Sequence, residues 1–89
     1  MSYLKVTHAC NCEEYVVPLQ AISEVTVPRS SKDLSVSDKA PEGEYLITIN
    51  YLKDDSYTMK FCKNCWHEVE NVVDQLQQVV RGPLIKSIA

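Results

Sequence analysis

The sequence predicts an α+β fold: a small antiparallel sheet of two hairpins, four or five strands in all, packed by one C-terminal amphipathic helix. Three observations predict it. Apolar residues alternate with period two near the N-terminus and again across residues 45–61. They then switch to a 3.6-residue period across residues 63–81. Gly82-Pro83 closes that second pattern with a helix stop.

The first strand is read at residues 3–8, where Leu4, Val6 and His8 share one side and Tyr3, Lys5 and Thr7 the other. A tight polar turn from Ala9 to Glu14 follows, and residues 15–19 form the returning strand. Pro18 cannot donate to a ladder, so that strand lies at an edge or ends there. Residues 20–27 fit a bent strand through Val25 and Val27, or one helical turn through Ile22 and Val25; the strand is favoured. Residues 28–44, rich in Ser, Asp, Pro and Lys with no sustained period, are read as a long loop.

The second hairpin is the clearest β signal. Tyr45, Ile47, Ile49 and Tyr51 share one face of a strand over residues 45–52. Lys53-Asp54-Asp55-Ser56 turns the chain, and Tyr57, Met59 and Phe61 alternate on the way back. The helix spans residues 63–81, with Trp66, Val69, Val72, Val73, Leu76, Val79 and Val80 as its apolar stripe. Asn64 is the expected N-cap, with Glu68 and Glu70 near the positive end of the helix dipole and Arg81 near the negative end. Its valines lower helix propensity, so it needs a sheet to pack on. Residues 83–89 are read as a loosely held tail.

Eighty-nine residues make one domain, 1–89. A domain this small has a thin stability margin and often recruits a metal, a disulfide or a second subunit. Apolar content of 45 % is too high for a disordered chain. The 9 basic residues are scattered and outnumbered by 12 acidic ones, giving a net charge of −3. No basic stripe tracks a phosphate backbone, which argues against nucleic acid, and none suits a membrane surface. Neither a signal-peptide core nor a membrane span is legible. The expectation is a cytoplasmic protein, whose cysteines stay reduced.

Four cysteines carry the only pointed chemistry: Cys10-x-Cys12 in the first turn and Cys62-x-x-Cys65 where the last strand becomes the helix. Zinc takes four ligands tetrahedrally and suits thiolates. A tight turn can aim two sulfurs at one ion, and the first turn of a helix supplies two more at i and i+3. The helix dipole and Lys63 favour thiolates there. Cys10, Cys12, Cys62 and Cys65 are therefore candidate ligands of a structural zinc. Cys62 and Cys65 also continue the apolar stripe of the helix, so burial as ordinary core thiols explains them equally. A disulfide or redox role for the C-x-x-C is the third reading, although no βαβ unit precedes it. His8 and His67 read as structural or surface histidines, and Glu13-Glu14 and Asp54-Asp55 as solvated turns. With its turn pair, its helix-start pair and a hairpin between them, the chain resembles a treble-clef zinc finger. Its first pair is C-x-C where that family carries C-x-x-C.

No nucleophile–base pair, phosphate loop or carboxylate pair emerges, so no enzyme is expected. The expected function is a small intracellular module that binds and modulates a partner protein through the 28–44 stretch or an exposed strand edge. A second copy of the chain, as a homodimer, is one such partner. The alternatives are a thiol-dependent redox protein using Cys62 and Cys65, and a zinc-finger nucleic-acid binder, which the acidic balance disfavours.

Overall fold

Among the described residues there are two sheets and one α-helix, and both the helix and the smaller sheet lie on one face of the larger sheet. The computed structural model describes residues 2–7, 14–30, 32, 35–37 and 40–87, with side chains at 35–37 and 40–42 excepted. The strands are β1 (Tyr3–Thr7), β2 (Glu14–Pro18), β3 (Ile22–Val27), β4 (Ser35–Ser37), β5 (Ala40–Tyr51) and β6 (Ser56–Cys62). The helix α1 (Trp66–Val79), a 3-10 turn at Gly82–Leu84 and β7 (Ile85–Ser87) complete the order. This is the expected α+β class with a single helix.

The first hairpin pairs β1 with β2, from Tyr3↔Pro18 to Thr7↔Glu14. It forms a separate two-stranded sheet. The second hairpin pairs β5 with β6 over seven positions, Glu44↔Cys62 to Asn50↔Ser56. On its other edge β5 meets β3 at its C-terminal half and β4 at its N-terminal half. β7 returns beside β3 in parallel, Val25↔Ile85 to Val27↔Ser87, so the larger sheet is mixed rather than antiparallel throughout.

Alternation sorts the larger sheet into a buried and an open face. Tyr45, Ile47 and Ile49 of β5 sit opposite Phe61, Met59 and Tyr57 of β6. All are buried except the half-buried Tyr57, and Val25 beside Ile49 is buried with them. The open face carries Thr26, Thr48 and Thr58 in one cross-strand row, with Lys60, Glu24 and Lys86 near them. Lys86 reaches Glu24 at 3.3 Å. One wet face is ordinary for antiparallel pairs.

The helix covers the apolar face with Val69, Val72 and Leu76. Trp66 stacks on Tyr45 with ring centroids 5.1 Å apart. The first hairpin covers the β6 side of the same face. Val6 and Val17 point inward, and the Tyr15 ring meets Tyr57 at 6.4 Å and Phe61 at 6.0 Å. At the far end of this hairpin the Tyr51 hydroxyl donates to the Pro18 carbonyl at 2.7 Å.

Several sequence expectations change. Residues 28–44 are not one loop: β4 and the start of β5 lie inside them, held by backbone pairing that needs no apolar alternation. The tail from 83 to 87 is not loose, because β7 finds a vacant ladder on β3; residues 88–89 lie outside the described residues. The helix is shorter than residues 63–81. Lys63 and Asn64 form a turn closed by the Cys65 N–H on the Cys62 carbonyl at 2.9 Å, so Cys65, not Asn64, is the N-cap. At the other end Val80 is already extended (φ −113°, ψ 142°), which leaves Arg81 outside the helix. Two consecutive β-branched residues are poor helix formers, and Val80 gains burial by leaving the helix. Val79 is instead 52 % exposed.

The β5–β6 turn uses Asp54 at φ 63°, with the Asp54 N–H on the Tyr51 carbonyl at 3.2 Å. An L-residue pays for this left-handed conformation with a Cβ clash that glycine lacks. Asp54→Gly should therefore raise the unfolding free energy by about 1 kcal/mol, read by urea denaturation. Burial first, and Tyr57 second, push the Tyr51 hydroxyl pKa above its ordinary value of 10.0. A raised folded-state pKa gives stability that is present below pH ~10 and lost as the pH rises through the folded value. Tyr51→Phe should flatten the fall of stability measured above pH ~10.

Candidate metal centre

The junction of β6 and α1 positions the second cysteine pair. β6 ends at Cys62, the two-residue turn follows, and Cys65 opens the helix. The Cys65 carbonyl accepts from the N–H groups of Glu68 and Val69, each at 3.1 Å. This backbone arrangement brings the two sulfurs together: Cys62 Sγ and Cys65 Sγ lie 3.0 Å apart. Cys62 is half-buried and Cys65 is buried at 4 % exposure. A bond between them would be about 2.05 Å long. Two thiolates on one tetrahedral zinc, at Zn–S distances of about 2.3 Å, would stand ~3.8 Å apart. The pair is thus unbonded and needs only a small opening to chelate an ion.

Cys65 is disulfide-bonded. A sulfur in a disulfide is not an anion, so Cys65 serves as a metal ligand only when reduced.

Cys10 and Cys12 lie outside the described residues, with the rest of residues 8–13. The described strands on either side are informative. The Tyr15 hydroxyl donates to the Lys60 carbonyl at 3.0 Å and accepts the Lys60 N–H at 3.4 Å. Tyr15 is next to Glu14, the residue at which the turn rejoins the sheet, and Lys60 is two residues before Cys62. The first hairpin therefore runs along β6 with its turn end toward Cys62 and its Pro18 end toward Tyr51.

Among the described residues no group of three or more His, Cys, Asp or Glu side chains is placed to hold a metal. The donor set of this junction is the two sulfurs. His67 is solvent-exposed and 3.9 Å from Glu70 on its own helix, away from them. His8 and Glu13 lie outside the described residues. Glu14 pairs with Lys5 at 3.5 Å on the outer side of the hairpin. Asp54 and Asp55 are exposed in their turn. Trp66 belongs to the core edge, as its stacking on Tyr45 shows. The feature that sequence reasoning missed is Tyr15. A tyrosine two positions before a buried Val17 on a strand signals a ring facing the core, but nothing in the sequence names its backbone partner.

Compared with known protein families, characterised proteins and solved structures, the chain matches none.

Tyr15→Phe keeps the ring and removes the hydroxyl. It should cost about 1 kcal/mol of stability. The Lys60 amide should also exchange with solvent faster in hydrogen-exchange NMR.

Proposed function

We propose that the chain is a small protein-interaction module whose first hairpin is pinned to its sheet by one structural zinc ion held by Cys10, Cys12, Cys62 and Cys65. One observation carries the zinc reading: the Cys62 and Cys65 sulfurs converge at 3.0 Å on the helix start. The docking of Tyr15 on Lys60 supports it, because it turns the C-x-C end of the hairpin toward that pair. The ion would tie two sheets that share no ladder. For a domain of this size such a tie contributes folding free energy directly. The interaction reading is supported by the free edge of β6 and by an open, polar sheet face.

Elemental analysis of protein purified under reducing conditions, without added zinc, should find one zinc per chain. Chelation should then loosen the hairpin, read as faster exchange at the amides of Val6 and Val17. Four freely titrating thiols with no metal would overturn the zinc reading. The module reading is tested by affinity purification from native cells with the reduced, metal-loaded chain and its Cys65→Ser variant as parallel baits. A protein retained only by the intact chain supports it; identical recoveries reject it.

A second reading has its own observation. The Cys62 and Cys65 sulfurs lie 3.0 Å apart at a helix start, an arrangement that, once both are reduced, suits dithiol–disulfide exchange. Reduction of insulin by the metal-free dithiol chain, lost in Cys62→Ser, would favour a redox protein over the zinc module.

A further inference from the structure

β6 is an edge strand, and its ladder groups can be assigned one by one. The Tyr51 N–H donates to the Asp55 carbonyl at 2.9 Å, which makes this pair a hydrogen-bonded one. Hydrogen-bonded pairs recur every second residue in an antiparallel ladder. The pairs Ile49↔Tyr57, Ile47↔Met59 and Tyr45↔Phe61 are therefore hydrogen-bonded, and the N–H and C=O groups of Ser56, Thr58 and Lys60 face outward. Lys60 confirms the parity, because the Tyr15 hydroxyl meets both of its groups from outside. Among the described residues Ser56 and Thr58 have no such cap, and both are exposed.

Beside that uncapped stretch lies a cleft of about 400 Å³. Pro18, Ala21, Tyr51, Lys53, Asp55 and Tyr57 are among the residues that line it. Its size falls within the usual range of ligand pockets, roughly 300–1,000 Å³. Tyr57 is the residue between Ser56 and Thr58 and points to the cleft side of the sheet. Alternation places the side chains of any strand added to β6 on the same two sides.

We infer that Ser56–Thr58 and this cleft form one site, which takes an extended segment of a partner protein by strand addition, with an apolar side chain of that segment seated between Tyr57 and Pro18. The occupant follows from the groups on offer. Alternating outward N–H and C=O groups match another peptide backbone, and the tyrosine–proline walls match one apolar side chain. The Tyr15 cap on Lys60 sets the limit of the added strand toward the cysteine end. This inference rests on the interaction-module reading and names the place and the partner class.

Thr58→Pro removes one outward N–H and leaves the β5–β6 ladder intact, since that N–H faces solvent. The probe is a displayed library of random peptides, selected on the reduced, metal-loaded chain. Selected peptides should bind Thr58→Pro about tenfold more weakly, the equivalent of a lost hydrogen bond or two. Tyr57→Ala should weaken them similarly, and the amide signals of Ser56 and Thr58 should shift on binding. If Thr58→Pro fails to fold, N-methylation of alternate residues of a selected peptide tests the same bonds on the unaltered chain. Loss of binding supports the site. Unchanged binding to Thr58→Pro or of the N-methylated peptide, or shifts centred on the β7 edge instead, would overturn this site and leave the module reading standing. Recovery of no peptide from the library would overturn both.

Discussion

Tyr45, Ile47, Ile49, Met59 and Phe61 all point to one side of the larger sheet, and the whole fold follows from covering that side. A helix of 14 residues is about 21 Å long. It cannot shield a strand pair and the strands beyond it alone. The chain uses two covers: α1 with Val69, Val72 and Leu76, and the first hairpin with Val6 and Val17. Neither cover is stable by itself. An isolated two-stranded hairpin is marginal at best, and a valine-rich helix depends on its packing.

The two covers differ in how they are attached. The helix follows β6 directly and stays beside it through chain continuity. The hairpin belongs to a different ladder and is held by side chains: Tyr15 on the Lys60 backbone, Tyr51 on the Pro18 carbonyl, and the buried valines. Hydrogen bonds of this kind contribute about 1 kcal/mol each. The cysteine-bearing end of the hairpin lies beyond Tyr15, and it is the end with the least apolar burial, since Thr7 and Glu14 are both exposed. A cross-link there, whether metal or disulfide, adds most where packing contributes least.

The elements with strong periodicity were legible in the sequence, and those built on backbone pairing were not. Alternation at 45–51 and 57–61 marked β5 and β6 with their buried faces, and the 3.6-residue stripe marked Val69, Val72 and Leu76. The early part of β5 and the strands β4 and β7 carry no such pattern, because their pairing rests on ladder groups that every residue possesses. Gly82-Pro83 marked a real stop, but the helix ended sooner because Val80 is better buried as extended chain. At the candidate site the pairing of Cys62 and Cys65 was legible from their spacing, but its cause was not: the turn closed by the Cys65 N–H on the Cys62 carbonyl, not a shared helix face, brings the sulfurs together. That the first hairpin lies over the sheet, and along β6, was not. It depends on tyrosine hydroxyls reaching backbone groups 45 and 33 residues away, contacts that leave no local signature.

Tyr15 connects the two halves of the functional reading. It packs on Phe61, one residue before Cys62, and its hydroxyl occupies the outward groups of Lys60. An edge strand of seven residues with alternate outward groups free along its length would invite indiscriminate pairing. With Lys60 capped, the open stretch shrinks to Ser56 and Thr58, next to the tyrosine–proline cleft. Pairing there is too short to hold a segment by main-chain bonds alone, so under the proposed reading the cleft would discriminate by side chain. Under the proposed reading, a cross-link at the cysteines would act on edge specificity as well as on stability.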